Sequence, residues 1–240
     1  MTRHSAILFD LDGTLVATRR LYFEAFSRAL APHVGRRMEE EEMLPYRPRS
    51  ERRFLRELVG DGAYGECLEA FYQMYAELHP TLFQGVYEGV PEMLGALRAR
   101  SVSMGLVTGK SRKAWDITAR EAPLGPFEVT VFDDDVPAQK PDPAGLRLAL
   151  EQLDRGPDEV AYVGDSITDL EAAESAGVLP VAVLWPKRAE EMEVFAQNAR
   201  ERGATLLERP EQLVPTLGLD GNAPGAGGAG ATIRGDNGGE

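Results

Sequence analysis

Phe9-Asp10-Leu11-Asp12-Gly13-Thr14-Leu15-Val16 is the stretch around which the rest of the chain is organised. Just before it, Ala6-Ile7-Leu8-Phe9 is an apolar run of buried-strand length, and Gly13 punctuates its end. Two carboxylates one residue apart at the C-terminal end of such a strand make a poor core, since burying an unpaired charge costs roughly several kcal/mol. A solvated Asp-Gly turn accounts for Asp12-Gly13. It does not account for Asp10, which sits inside the hydrophobic flank, so the residues around this strand end are expected to use carboxylates chemically.

The 240 residues have room for one large domain or two small ones, and their apolar and charged fractions are ordinary for a globular protein. No apolar run approaches the roughly 20 residues that span a bilayer, and Met1 to Ser5 lacks a signal-peptide layout. No membrane partner and a cytoplasmic location are therefore expected. Cys67 is the only cysteine, which excludes an intrachain disulfide and a thiolate metal cluster. The net charge of −13 argues against nucleic acid as a partner. That charge is uneven. Residues 17–85 carry 10 basic and 11 acidic side chains, whereas residues 86–218 carry 14 basic and 23 acidic ones. The asymmetry suggests two domains.

Residues 17–85 read as helical. Leu21, Tyr22, Phe23, Phe26 and Leu30 recur at helical spacing, a second apolar stripe ends at Gly60, and a third runs from Cys67 to Leu78 and is closed by Pro80. From about Val86 helices and strands alternate, with strands read at 103–108, 128–132, 160–164 and 180–184. One intervening helix is expected to start at an Asp142 N-cap with Pro143 in its first position. Alternation of this kind predicts an α/β fold: a Rossmann-like, doubly wound parallel sheet with an inserted small α-helical domain. The core is assigned to residues 1–16 and 86–218, and the helical domain to 17–85. Residues 219–240 are assigned to a Gly- and Ala-rich disordered tail.

Ligands of such sheets bind beyond the carboxyl ends of the strands. The polar residues there are Asp10 and Asp12, then Thr108-Gly109-Lys110, then Gly164-Asp165-Ser166 with Asp169 one turn on; Lys140-Pro141-Asp142-Pro143 opens a helix between them. Several carboxylates without His or Cys form a hard-oxygen site suited to Mg2+. A hydroxyl at Thr108, the Lys140 ammonium and helix N-termini suit a phosphoryl group. Together they describe a phosphoryl-transfer site in which Asp10, ionised at neutral pH without a helper base, is the nucleophile.

The set Asp10-Leu11-Asp12-Gly13-Thr14, Thr108, Lys140-Pro141-Asp142-Pro143 and Gly164-Asp165 with Asp169 resembles the haloacid dehalogenase superfamily over residues 5–217. The helical insertion after the first motif resembles its phosphoglycolate phosphatase, pyrophosphatase and β-phosphoglucomutase subgroup. The resemblance implies in-line attack by Asp10 to give an aspartyl-phosphate, with Asp12 as acid and then base. It implies Mg2+ held by the Asp10 side chain, the Asp12 carbonyl and Asp165. Thr108, the Gly109 N–H and Lys140 would bind phosphoryl oxygens, while Asp169 and Ser166 support the Lys140 side or a metal-bound water. The chain departs from relatives at Ala17-Thr18, where an acidic or amide residue is frequent, which puts hinge or substrate contacts in doubt.

The implied activity is a Mg2+-dependent phosphatase acting on a small phosphorylated metabolite, phosphoglycolate-like or pyrophosphate-like, as a monomer or homodimer. A phosphosugar mutase is the nearest rival and a non-catalytic binding protein a distant one. Arg47, Arg49, Arg52 and Arg53 are candidate contacts to an anionic substrate, with a solvated helix start as the alternative. Asp133-Asp134-Asp135 reads as an acidic loop, Lys110 as an exposed helix-start lysine, and Trp115, Trp185 and Cys67 as packing residues. The aromatics Tyr22, Phe23, Phe26 and Phe54 read as helical core.

Overall fold

Strand β1 (Ala6–Phe9) is fully buried and lies third in a six-stranded sheet. The computed structural model describes residues 4–46, 48 and 50–219. β1 pairs in parallel with β2 (Ser103–Val107) on one side and β4 (Val160–Gly164) on the other, Leu8 standing opposite both Gly105 and Tyr162. β3 (Val129–Val131) flanks β2, while β5 (Leu179–Val183) and β6 (Thr205–Leu207) extend beyond β4, giving the order β3-β2-β1-β4-β5-β6. β6 is a strand that the sequence pattern did not announce.

All strand pairings are parallel, so helices fill the crossovers: α4 (Val90–Ala99), α5 (Arg112–Thr118), α6 (Ala144–Leu153), α7 (Ile167–Ala176) and α8 (Ala189–Glu201), with the short α9 (Leu213–Thr216) following β6. Two-residue alternation divides β1 between the faces. Ile7 and Phe9 pack with Met93, Leu94 and Leu97 of α4, whereas Ala6 and Leu8 pack with Leu146 of α6 and Ala172 of α7. This is a Rossmann-like α/β fold. α6 begins one residue later than expected: Pro143 occupies the cap position, and Asp142 Oδ1 accepts the Ala144 N–H at 2.8 Å. Leu219, assigned to the tail, is instead buried in the core cluster with Leu213 and Val214, because the apolar residues around α9 continue to find the sheet. Residues 220–240 lie outside the described residues.

Between β1 and α4 the chain forms α1 (Arg19–Val34), the single-turn α2 (Glu40–Met43) and α3 (Glu51–Leu82). These build a second apolar cluster in which Phe26 meets Phe54 edge-on at 4.7 Å and stacks on Phe71 at 4.8 Å. The two stripes read along 51–78 are the arms of one element kinked at Gly60, whose φ of 70° and ψ of 169° interrupt the helix. The helix runs through Pro80 to Leu82, since a proline in the last turn forfeits only one backbone bond. Entry and exit of this unit are stitched together, Ala17 N–H to Gly85 O at 2.9 Å and Tyr87 N–H to Leu15 O at 3.1 Å. Ala114 of α5 packs into the same aromatic cluster, so the two units share a buried seam. No helix among the described residues is long and apolar enough to cross a membrane.

Candidate active site

A cavity of about 230 Å³ opens at the C-terminal ends of β1, β2 and β4, beneath α1. Asp10 and Asp12 reach it from β1, Thr108 and Gly109 from β2, and Asp165 and Ser166 from β4. Lys140, ahead of α6, and Asp169, in the first turn of α7, complete the wall. The sheet thus brings residues more than 150 positions apart into one pocket, at the switch point where the chain leaves β1 for opposite sides of the sheet.

Two glycines allow this convergence. After β1 the Leu11 carbonyl accepts the N–H groups of Thr14, Leu15 and Val16, a tight turn that Gly13 permits with φ +84°. A β-carbon on Gly13 would lie 2.7–2.9 Å from the Asp165 carboxylate. A β-carbon on Gly164 would lie 2.5 Å from that of Asp169. Asp169 in turn closes a capping box with Ser166, accepting the Ser166 N–H at 2.9 Å while Ser166 Oγ accepts the Asp169 N–H at 3.3 Å.

Lys140 Nζ is held at three corners, donating to Asp10 Oδ1 at 2.7 Å, Asp169 Oδ1 at 2.6 Å and the Tyr162 hydroxyl at 2.7 Å. Tyr162 passes its own proton to the Val107 carbonyl at 2.8 Å, which leaves its oxygen to accept. One carboxylate oxygen from each of Asp10, Asp165 and Asp169 lies within 4.8 Å of the other two. Burial pushes the Asp10 carboxyl up from the usual carboxylate range, and its neighbours Asp169 and Asp165 add to this against the pull of Lys140. A buried cluster of hard oxygens with surplus negative charge fits a small divalent cation.

Asp12 stands apart from that cluster. Its Oδ1 accepts the Thr18 hydroxyl at 2.6 Å and the Lys110 ammonium at 3.1 Å. Thr18 precedes α1 but does not cap it with its side chain; the hydroxyl is turned to Asp12 instead, which gives the Ala17-Thr18 departure a contact of its own. Lys110 corrects the expectation of an exposed lysine. Its side chain is 0% exposed, because α1 and α3 fold over it and supply the hydroxyls of Tyr22 and Tyr75 at 2.6 and 3.0 Å. Burial works against its charge, yet Asp12, Tyr75 and Glu51 outweigh this and hold the ammonium above its ordinary value.

The arginines proposed as substrate contacts divide. Arg47 and Arg49 lie outside the described residues. Arg52 and Arg53 do not line the cavity; they pair with Asp133, Arg53 Nε at 2.9 Å and Arg52 at 3.5 Å, with Asp134 a further 3.3 Å partner of Arg52. The first turn of α3 points them at the loop after β3. Asp133 is accordingly no solvated loop acid but a buried acceptor between the two units. The aromatic expectation is also half corrected: Phe54 is core, whereas Tyr22, Phe23 and Phe26 pack and line the cavity too.

Sequence reasoning missed Lys187 and Tyr162. Lys187, after β5, reaches Asp165 Oδ2 at 2.7 Å from the cavity wall. It stands at a strand end beside Pro186, so the rule that singled out Thr108 and Asp165 would have found it. Tyr162 lay hidden inside an apolar strand, and only its neighbours reveal that its hydroxyl is used.

The haloacid dehalogenase-like hydrolase family model matches residues 7–183. The pyrophosphatase PpaX of Bacillus mycoides is 33% identical over 216 residues, covering 89% of this chain and 96% of the relative. CbbY of Rhodobacter sphaeroides, solved in complex with phosphate, is 27% identical with a TM-score of 0.70, covering 87% of this chain and 96% of the other. A Lactobacillus plantarum protein, provisionally described as a phosphoglycolate phosphatase, shares the fold with a TM-score of 0.74 at 22% identity, over 89% and 99% of the two chains. With the strand-end carboxylates and Lys140 in the places just described, the chain belongs to the haloacid dehalogenase-like hydrolase family.

Proposed function

We propose that the chain is a Mg2+-dependent phosphatase that hydrolyses a small phosphorylated metabolite through an aspartyl-phosphate. The observation that carries this reading is the separation of the two motif carboxylates. Asp10 sits buried on Lys140 among Asp165 and Asp169, while Asp12 sits on Thr18 and Lys110 at the cavity edge. This separation supports attack by Asp10 and proton transfer by Asp12.

Asp10, the Asp12 carbonyl and Asp165 are the residues that would hold Mg2+, with Asp169 beside them. When bound, the ion neutralises charge that develops on the transferring phosphoryl group. Thr108, the Gly109 N–H and Lys140 bind and orient the phosphoryl oxygens. An Asp10 oxygen forms a bond to phosphorus as the bond to the leaving oxygen breaks, and that oxygen takes the proton of Asp12. Asp12, now a carboxylate, accepts a proton from the water that attacks the aspartyl-phosphate, which releases phosphate and restores Asp10. Residues 17–85 act as a cap over the cavity, excluding bulk water and meeting the leaving group with Tyr22, Phe23 and Phe26. Pyrophosphate and phosphoglycolate are the first substrates to test, on the names of the relatives.

The test is a phosphoester panel with Mg2+ together with Asp10→Asn. The wild type should release phosphate and show the mass of one added phosphoryl group on a peptide containing Asp10, and the variant should do neither. Full activity in Asp10→Asn overturns the mechanism. Conversion of a hexose 1-phosphate to its 6-phosphate without phosphate release would make the chain a mutase.

A further inference from the structure

The mechanism above leaves one buried cation without a task. Lys110 does not line the cavity, yet its ammonium is enclosed by Asp12 Oδ1 at 3.1 Å and the hydroxyls of Tyr22 and Tyr75, with the two ring centroids at 4.1 and 4.8 Å. Its backbone is fixed as well: the N–H donates to Thr108 Oγ1 at 3.2 Å, and the carbonyl accepts the Asp133 N–H at 3.1 Å. If the position needed only packing, an apolar side chain would fill it without the desolvation cost of an ammonium.

The two donors to Asp12 choose the same atom. Thr18 Oγ1 at 2.6 Å and Lys110 Nζ at 3.1 Å both engage Oδ1, and among the described residues no hydrogen bond reaches Oδ2. Thr18 and Lys110 are buried, whereas the Asp12 side chain is 26% exposed at the cavity wall. We infer that Lys110 is a positioning residue for Asp12, anchoring Oδ1 so that Oδ2 is the oxygen that carries the transferred proton into the cavity.

This inference rests on the phosphatase reading, in which Asp10 bonds to phosphorus, the electron pair of the broken P–O bond stays on the leaving oxygen, and the Oδ2 proton moves to that oxygen. An alkoxide leaving group needs that proton; 4-nitrophenolate leaves without it. The ratio kcat/KM reports the steps up to departure of the leaving group, so it isolates this proton transfer from the later hydrolysis. Lys110→Met should lower kcat/KM for phosphoglycolate on the order of tenfold to a hundredfold, and that for 4-nitrophenyl phosphate by less than about threefold, a fraction of what a general acid supplies. Tyr75→Phe removes one anchor of Lys110 without touching the cavity and keeps the question open to test if Lys110→Met fails to fold; it should show the same split at smaller size. Equal losses on both esters, or an unchanged value for phosphoglycolate, overturn the inference while leaving the phosphatase reading intact. A wild type inert to both esters overturns that reading, and the inference with it.

Discussion

Gly164 does its work by lacking a side chain. Its α-carbon lies where Asp169 passes beneath the end of β4, and Asp169 then reaches Lys140 at 2.6 Å. Gly164→Ala should push Asp169 off this position, costing about 1–3 kcal/mol as an overpacked site does. Phosphate release should fall more steeply than stability, since Lys140 would lose one of its three partners; thermal denaturation and steady-state kinetics on one preparation check both. At this scale the sequence was legible where a residue type contradicts its setting. Asp10 inside an apolar flank is such a contradiction, and so is a run of strand-end carboxylates without His or Cys. Lys110 carried no such signal. A lysine at a helix start is ordinary, and its burial is decided by Tyr22 and Tyr75, which lie 88 and 35 positions away.

Among the elements, α3 and the loop after β3 meet through charge. Asp133 is 3% exposed and bound by Arg53 at 2.9 Å, while Glu51 at the start of α3 accepts the Ser111 N–H at 3.0 Å and the Ser111 hydroxyl. Asp133→Ala should weaken this seam by about 1.5–3 kcal/mol, the range for hydrogen bonds to charged groups. The loss should register as faster proteolysis between residues 17 and 85 and as a lower melting temperature, with α4 and β2 protected to the same extent as in the wild type. The longer elements could be read in advance because period and punctuation agreed, as at Gly177, which ends α7 with φ 78°. β6 could not: Thr205-Leu206-Leu207 is too short to show alternation, and its pairing with β5 makes it a strand. Asp142 illustrates a smaller failure. Its type and spacing predict the cap of α6, but with Pro143 in the cap position its carboxylate caps one residue further out.

For the molecule as a whole, acid should loosen the helices of residues 17–85 before it harms the sheet. His79, 1% exposed in α3, stacks on Phe83 at 4.4 Å, and burial holds its pKa below the ordinary value against the pull of Glu121, 3.3 Å away. A histidine depressed in the folded state takes up its proton more readily when unfolded, so its contribution is complete above about pH 6.5 and is lost as the pH falls below that. Urea midpoints at about pH 7.5 and 5.5 should therefore differ more for the wild type than for His79→Phe. Charge and period alone predict an acidic α/β part and a nearly neutral helical one; the contacts between the two parts are not legible there, because they are made of pairs distant in sequence. The position of β1 has a last consequence, for the order of assembly. Its partners are Ser103 for Ala6 on one side and Val160 on the other, so the middle of the sheet cannot close until most of the chain has been made. The helices α1 and α3 make most of their contacts with each other and are complete by residue 82. Local contacts form before long loops close, so during synthesis the helical part is expected to condense first and wait, its seam uncovered, for the α/β part to arrive.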